Sequence, residues 1–196
     1  MRVLVVGGSG SGKSAYAEQL ACSLSPRRTY VATMESQSAE AQRRIARHRA
    51  QRDGLGFITI ECSRALPVGD WPKHPRLQSA KWPKHPRFQS ATPTGVALVE
   101  DLGNLVANAL FAPDESMGDP RAVVDKLERN VLDFSRTYEH VVVVGNLVGC
   151  EGASVYEATR EWVRAVGTLC CRLAAAFDVV VEITAGIPQV IKGALP

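Results

Sequence analysis

A glycine-rich segment near the amino terminus constrains the fold of this chain more than any other feature. Residues 7–14 read Gly-Gly-Ser-Gly-Ser-Gly-Lys-Ser and match the pattern G-x-x-x-x-G-K-[ST]. They follow the apolar run Arg2–Val6 and precede a helical pattern that begins at Lys13. Glycines let backbone N–H groups turn inward around phosphate oxygens, and the following helix directs its positive dipole end at the same anion. The segment therefore predicts a phosphate-binding loop between a buried strand and a helix.

Each residue type in this loop has an expected role. Lys13 should reach the β- and γ-phosphates of a nucleotide, and Ser14 should offer its hydroxyl to Mg²⁺. The predicted nucleotide-binding residues of the loop are Gly7, Gly8, Ser9, Gly10, Ser11, Gly12, Lys13 and Ser14. A flexible glycine turn is the alternative, but the strand before the loop and the helix after it favour phosphate binding.

A nucleoside triphosphate site also needs an acid for the metal, usually at the end of a second buried strand. The apolar run Val96–Val99 ends in Glu100 and Asp101. Glu100 is the first choice as a Mg²⁺ ligand and Asp101 is the second. Asp101 could instead cap the helix that follows it.

Apolar runs of strand length alternate with helical patterns along the chain. The predicted strands are Arg2–Val6, Thr29–Ala32, Phe57–Ile60, Val96–Val99, His140–Val144 and Val179–Ile183. The predicted helices are Lys13–Ser23, Ala39–Arg52, Leu102–Phe111, Arg121–Ser135 and Val155–Ala176. Unbroken apolar strands indicate a sheet covered on both faces. The order predicts an α/β, RecA-like P-loop NTPase fold, with a mostly parallel sheet and helices on both faces, in one domain over residues 1–196.

Composition narrows the class of protein. Hydrophobic residues make up 45% of the chain and charged residues 22%, which is typical of a folded globular domain. The net charge of +3 suits an anionic ligand but is too weak to indicate nucleic acid by itself. The five cysteines are odd in number and form no C-x-x-C pair, which argues against a disulfide framework or zinc site. No secretory signal or membrane-length apolar run is visible, so we expect a cytoplasmic protein.

Residues 71–91 contain a proline-rich duplication. The ten residues from Trp71 recur from Trp82 with a single change, Leu77 to Phe88. Two prolines in each copy exclude a helix and a central strand. A basic, aromatic docking loop for nucleic acid or membrane is one interpretation. A surface loop without a chemical role is favoured, because the entropy of closing a loop rises slowly with its length.

A basic segment carries the other candidate chemistry. On a helix, Arg44, His48 and Arg52 are spaced by four residues and share one face. Flanking cations lower the pKa of an imidazole, and a neutral imidazole is a nucleophile. The arginines could also clamp a triphosphate. From this spacing alone, a solvated basic face is the simpler interpretation.

Taken together, the motifs resemble the bifunctional adenosylcobinamide kinase/adenosylcobinamide-phosphate guanylyltransferase family. The phosphate loop is followed by Ala17-Glu18, and residues 44–52 fit R-I-x-x-H-R-x-x-R. Further matches are Ala32-Thr33, Thr59-Ile60-Glu61, residues 98–102, Asn108 to Leu110, Asn146 with Val148-Gly149, Arg160, Gly167, Arg172-Leu173 and residues 185–188. The resemblance covers nearly the whole chain except the duplication, and the two main motifs are specific in combination.

The resemblance implies an enzyme of cobalamin biosynthesis or salvage. Such an enzyme phosphorylates the corrinoid's hydroxyl with ATP or GTP, takes GMP from GTP onto a histidine, and passes it to the new phosphate to give adenosylcobinamide-GDP. The matching catalytic residues are His48 and Lys13, and the matching nucleotide-binding residues beyond the loop are Ala32, Thr33, Met34, Arg49, Arg52, Glu61 and Glu100. The resemblance also implies Mg²⁺ and a homotrimer, with no nucleic acid partner.

Several positions depart from the family pattern. These are Gly10, Ser38, Leu147, Val163, Arg164, Cys170 and Cys171. Our hypothesis is that GTP binding and histidine guanylylation persist, while corrinoid binding or the kinase step is weakened. One alternative is a diverged relative that binds GTP but has lost one or both activities. Another is a different P-loop enzyme, such as a small-molecule kinase or a nucleic-acid ATPase.

Overall fold

The computed structural model describes residues 1–35, 42, 43, 45, 46, 50, 52–68, 95–111, 116–149 and 156–196. The strands are β1 (Arg2–Gly7), β2 (Arg28–Ala32), β3 (Phe57–Glu61), β4 (Val96–Glu100), β5 (His140–Asn146), β6 (Val179–Thr184) and β7 (Ile187–Lys192). The helices that lie wholly within the described residues are α1 (Lys13–Leu24), α2 (Leu102–Leu110), α3 (Pro120–Ser135) and α4 (Glu157–Ala176).

Within the described residues, seven strands form one sheet in the order β3-β2-β4-β5-β1-β6-β7. All neighbouring pairs are parallel except β6 with β7, which are antiparallel. This arrangement confirms the predicted mostly parallel sheet. It places β1, which leads into the glycine-rich loop, between β5 and β6.

Helices cover both faces of the sheet, as predicted. Alternate residues of β1 serve opposite cores, because successive strand side chains point to opposite faces. Val3 and Val5 pack in a cluster that includes Ala17 and Leu20 of α1. Leu4 belongs to the other cluster, to which α2, α3 and α4 contribute their apolar faces.

Local capping explains where two helices start. Asp119 precedes α3, and its side chain accepts a hydrogen bond from the Arg121 backbone N–H at 3.0 Å. Pro120 takes the first helical position, where its missing N–H has no partner to lose. Asp101 plays the same capping role for α2.

All six predicted strands are present, and each boundary agrees within two residues. The unpredicted strand is β7, whose side chains are all exposed. It carries Pro188, which suits an edge strand, and its turn includes Ala185 at φ 51. A non-glycine residue at positive φ conceals the usual hairpin signal.

The predicted helix Ala39–Arg52 is tested at only part of its length. Residues 42, 43, 45, 46 and 50 are helical, whereas Arg52 lies in a turn that continues to Gly56. The helical prediction was therefore wrong at Arg52. The remaining positions of this segment and the duplication at 71–91 lie outside the described residues.

Candidate functional site

The glycine-rich loop joins β1 to α1 as its sequence predicts. Gly12 has φ 90, a left-handed conformation that favours glycine, and it precedes the first helical residue. A Cβ on Gly7 would collide with Ser11 Oγ and lie 2.8 Å from the Ile183 carbonyl oxygen. Gly186 N–H donates to the Ser11 carbonyl at 2.9 Å and so ties the loop to the β6–β7 turn. The loop is therefore built from close backbone contacts that larger residues would disrupt.

The start of α1 has the properties of an anion site. The residue before it is Gly12, and no side chain of the described residues caps this end. Its first N–H groups remain for a phosphate to satisfy. Lys13 Nζ donates to the Gly8 carbonyl at 3.1 Å, so the lysine lies along the loop. Ser14 is half-buried in the first turn.

Strand order places a group of polar residues beside this loop. Gly7, Glu100 and Asn146 end the parallel strands β1, β4 and β5, which neighbour one another in the sheet. The Leu147 N–H donates to the Gly7 carbonyl at 3.0 Å, which fixes the end of β5 against the loop. Ligands of open α/β sheets bind beyond the carboxyl ends of the strands. This edge is therefore the candidate nucleotide site.

Glu100 fits the acid that such a site requires. Its side chain is buried, and Oε2 has no hydrogen-bond partner in the described part of the chain. Tyr30 is a neighbour of this carboxylate, because it pairs with Leu98, which lies two residues before Glu100 on the same face of the sheet. Burial raises the pKa of Tyr30, and the nearby Glu100 carboxylate raises it further. A buried carboxylate oxygen without a partner is unfavourable unless a cation or donor reaches it. Glu100 thus has the chemistry to hold Mg²⁺, which usually takes only one or two protein carboxylates and completes its shell with phosphate and water.

Asp101 caps α2, which was the open alternative for this residue. Its Oδ1 accepts a hydrogen bond from the Asn104 backbone N–H at 2.7 Å. The peptide bond between Glu100 and Asp101 is cis. The two neighbouring acids therefore occupy different environments, because one is committed to a helix end and the other has an unpartnered oxygen.

Thr33 and its neighbours join the ends of three strands. The Thr33 N–H donates to the Glu100 carbonyl at 3.0 Å, and Thr33 Oγ1 donates to the Asp101 carbonyl at 2.8 Å. The preceding residue, Ala32, accepts from the Cys62 N–H at 2.8 Å. The Thr33 side chain is fully buried, whereas Met34 is half-buried. Thr33 was predicted to bind nucleotide, but the structure places its side chain where it positions the Asp101 backbone.

Glu61 lies at the same edge of the sheet but far from the loop. Ala32 pairs with Glu61 on one side and with Glu100 on the other. Four strand spacings of about 4.8 Å separate β3 from β1, which is roughly 19 Å. The structure therefore does not bring Glu61 to the phosphate loop. Glu61 could meet only a different part of a bound nucleotide.

Arg52 does not occupy the position that the basic-helix pattern predicts. Its side chain is buried and its Nη1 lies 3.4 Å from Glu18 Oε1. Its Cζ lies 3.4 Å from the centroid of the Tyr30 ring. Arg52 begins a turn over residues 52–56, which contains Gly54 and Gly56, both at positive φ. The expected triphosphate clamp is thus replaced at Arg52 by a buried ion pair.

Asn146 is a polar site residue that sequence reasoning did not select. Its Oδ1 is buried and has no hydrogen-bond partner among the described residues. A Cβ on Gly103 would lie 2.7 Å from Asn146 Nδ2, so the amide packs against the start of α2. The signal was present as an asparagine at the end of a buried strand. Its importance depends on β5 lying beside β1, which composition and periodicity do not reveal.

Two predicted site residues, His48 and Arg49, lie outside the described residues. Within the described ranges, no group of three or more His, Cys, Asp or Glu side chains is placed to hold a metal ion. Across those ranges, no helix combines the length and apolar character needed to cross a membrane.

Comparison with solved structures supports the fold. A type III secretion system ATPase from pathogenic bacteria aligns with a TM-score of 0.51 and 13% identity. The alignment covers 93% of this chain but only 51% of that ATPase chain, so this chain spans about half its length. At this identity the likeness concerns the fold alone.

Comparison with curated proteins and family models identifies the family. The chain is 28% identical over 193 residues to the bifunctional adenosylcobalamin biosynthesis protein CobP of Pseudomonas aeruginosa, covering 98% of each chain. It is 30% identical over 200 residues to the bifunctional adenosylcobalamin biosynthesis protein CobU of Salmonella typhimurium, covering 98% of this chain and all of that protein. The model of the cobinamide kinase/cobinamide phosphate guanyltransferase family matches residues 3–70 and 76–191. The chain belongs to the cobinamide kinase/cobinamide phosphate guanyltransferase family.

Proposed function

We propose that this family member carries out both reactions of cobalamin biosynthesis or salvage that its relatives' description implies. It phosphorylates adenosylcobinamide with ATP or GTP, and it transfers GMP from GTP to give adenosylcobinamide-GDP. The observation that carries the kinase half is the phosphate loop beside Glu100, a buried carboxylate with an unpartnered oxygen. Membership of the family supports the guanylyl transfer.

In the kinase step, the loop positions the nucleotide phosphates. The free N–H groups at the start of α1 bind phosphate oxygens, and Lys13 leaves the Gly8 carbonyl to contact the β- and γ-phosphates. The corrinoid hydroxyl oxygen bonds to the γ-phosphorus, and the bond from that phosphorus to the bridging oxygen breaks. The nucleoside diphosphate leaves with the electrons of that bond, and the hydroxyl proton passes to solvent. Positioning and charge stabilisation supply most of the catalysis in such transfers.

Magnesium would be held by Ser14 and Glu100 together with the nucleotide. When bound, Mg²⁺ neutralises charge on the phosphates. Glu100 fits this role because it ends β4 at the sheet edge where the loop lies, and its buried Oε2 has no partner within the described residues. Ser14 is in the first helical turn. Asp101, the second predicted acid, already caps α2 through Oδ1. We therefore assign the metal-binding charge to Glu100.

In the guanylyl transfer, we assign His48 as the nucleophile. A neutral imidazole nitrogen attacks the α-phosphorus of GTP, and pyrophosphate leaves with the broken bond's electrons. The GMP then passes from His48 to the phosphate made by the kinase step. Arg49 would stabilise charge on the phosphate. Support comes from the match of residues 44–52 to R-I-x-x-H-R-x-x-R.

Assembly and location follow from the same resemblance. We propose a homotrimer in the cytoplasm, in which residues 1–196 form one domain. The duplication at 71–91 would be a surface loop of that domain, since two prolines in each copy exclude a helix and a central strand.

The diverged-relative alternative is not favoured, although specific departures bear on it. Leu147 is exposed beside the loop, so the side chain at this position faces the site's surroundings. Arg164 is exposed on α4 and pairs with Glu161 at 2.5 Å, which offsets its charge locally. Cys170 is buried against Gly145. We keep the hypothesis that these changes weaken corrinoid binding or the kinase step.

The test is turnover of adenosylcobinamide with GTP and Mg²⁺, followed by mass spectrometry of the corrinoid. We expect a phosphorylated product and then adenosylcobinamide-GDP. Lys13→Ala should reduce phosphorylation by roughly 100-fold or more, because it removes a charge that acts on the transferred phosphate. Arg136→Met is the control, since the Arg136 side chain is exposed and forms an exposed ion pair with Asp133. GTP binding by a folded protein without either product would support the diverged relative instead.

A further inference from the structure

Four polar side chains meet in a buried cluster between α1 and the sheet. Glu18 of α1, Tyr30 of β2, Arg52 of the turn and Glu100 of β4 are 8%, 4%, 7% and 9% exposed. We refer to these residues as the Arg52 cluster. The family resemblance predicted nucleotide contact for Arg52 and Glu100 only.

The guanidinium of Arg52 is central to the cluster. One edge pairs with Glu18, with 3.4 Å between Nη1 and Oε1. Its face stacks on Tyr30, with Cζ 3.4 Å from the ring centroid. Such a stack is favourable because the aromatic face is electronegative, more so when both groups are desolvated. Tyr30 in turn neighbours Glu100, because Tyr30 pairs with Leu98, which lies two residues before Glu100 on the same face of β4.

Arg52 also compensates negative charge in the cluster. Burial raises the pKa of Glu18, the nearby Glu100 raises it further, and Arg52 lowers it. Glu18 and Glu100 are therefore close enough to repel each other, and the Arg52 guanidinium offsets this repulsion at Glu18. Removing the guanidinium alone would leave a buried carboxylate pair without a cation, which is strongly unfavourable.

We propose that Arg52 is a positioning residue that fixes the Glu100 carboxylate through Tyr30, instead of contacting the nucleotide itself. The proposal rests on the proposed function, because it takes Glu100 as the Mg²⁺ ligand. Arg52 also directly follows residues 44–51, which carry the predicted nucleophile His48. The buried pair with Glu18 therefore holds Arg52, the last residue of that motif, against α1.

The surroundings of Arg52 argue against direct phosphate contact. Its edge and one face are occupied by Glu18 and Tyr30, and its side chain is only 5% exposed. Its Nε is buried and has no partner within the described residues, so this donor also points away from solvent. A nucleotide arriving from solvent meets none of these groups without breaking the ion pair.

The test compares GTP binding by calorimetry with and without Mg²⁺. Arg52→Met should weaken binding in Mg²⁺ by about tenfold, in the range seen when residues supporting metal ligands are lost, and leave Mg²⁺-free binding within about twofold. Tyr30→Phe, which keeps the ring and removes the hydroxyl, should show the same Mg²⁺-specific loss. The double variant Glu18→Gln with Arg52→Met removes the uncompensated buried charge but still lacks Arg52, so it should show the same Mg²⁺-specific loss. Arg136→Met should match the unmodified protein.

Other outcomes separate the proposal from the proposed function. An equal loss with and without Mg²⁺ in Arg52→Met would show direct nucleotide contact, and full Mg²⁺-dependent binding in the double variant would show that Arg52 is not needed to position Glu100. Either result would overturn the proposal. Unchanged binding in Tyr30→Phe would overturn the link to Glu100. If Arg52→Met does not fold by circular dichroism, Tyr30→Phe and the charge-neutral double variant decide the matter. Absence of GTP binding by the unmodified protein would overturn the proposed function itself.

Discussion

Asp101 offers a direct test of how the two adjacent acids divide their roles. Its Oδ1 accepts the Asn104 N–H at 2.7 Å, which satisfies one of the free donors at the start of α2. Removing such a cap usually costs about 1–2 kcal/mol. The contacts made by the Asp101 carbonyl, including 2.8 Å from Thr33 Oγ1, belong to the backbone and persist in any variant. The change therefore isolates the side chain.

We expect Asp101→Ala to lower the free energy of unfolding by about 1.5 kcal/mol. For a chain of this size, that corresponds to a fall in Tm of roughly 3–6 °C. Asp101→Asn should lower it by less than about 0.5 kcal/mol, because asparagine caps helices as well as aspartate does. Both values are measured by thermal and urea unfolding followed by circular dichroism.

Mg²⁺-dependent GTP binding by the same variants tests which of the two acids binds the metal. If Asp101 only caps, Asp101→Asn should bind Mg²⁺ and GTP within about twofold of the unmodified protein, whereas Glu100→Gln should lose roughly tenfold or more. The reasoning is refuted if Asp101→Asn loses Mg²⁺ affinity as strongly as Glu100→Gln. It is also refuted if Asp101→Asn is as unstable as Asp101→Ala.

Three further expectations concern the rest of the fold. Gly95→Ala should destabilise the protein by about 2 kcal/mol or more in urea unfolding, because Gly95 has φ 102 and a Cβ would collide with the Arg27 carbonyl. Gly167→Ala on the exposed face of α4 should instead stabilise the protein by about 0.5–1 kcal/mol, because a Cβ there meets open space and glycine disfavours a helix. Burial raises the pKa of Cys170 to about 12, so its thiol should resist iodoacetamide at pH 8 in the folded protein, and rapid alkylation detected by peptide mass spectrometry would contradict this. The hydrogen bond from Arg172 lowers the pKa of Asp125, so this pair stabilises the fold at neutral pH and loses its effect as pH falls through that lowered pKa. Arg172→Met should raise the Asp125 pKa in a carboxyl NMR titration, and an unchanged value would show that the bond is absent in solution.

The central strands could be predicted because their signal is local. The run Val141–Val144 is unbroken and β-branched, so it favours a strand buried on both faces. The glycine-rich loop is equally local, since each residue type is required by the backbone path around a phosphate. The edge strand β7 lacks such a signal, because all its side chains are exposed and it contains Pro188.

The site was less predictable because it depends on strand order and tertiary packing. Asn146 becomes a site residue only when β5 lies between β4 and β1. Arg52 keeps the spacing of a helical stripe, but the turn through Gly54 carries it inward to Glu18. Asp101 has the same sequence context whether it binds metal or caps a helix, and only the hydrogen bond to Asn104 distinguishes these roles.

We propose that this chain makes a guanylyl-enzyme on the way to adenosylcobinamide-GDP. The most direct measurement incubates the protein with Mg²⁺ and GTP labelled on the α-phosphate, beside His48→Ala. We predict label that stays with the unmodified protein, is lost in acid, survives base and is absent from His48→Ala. GTP binding without any such label would contradict the account and leave a nucleotide-binding relative that has lost guanylyl transfer.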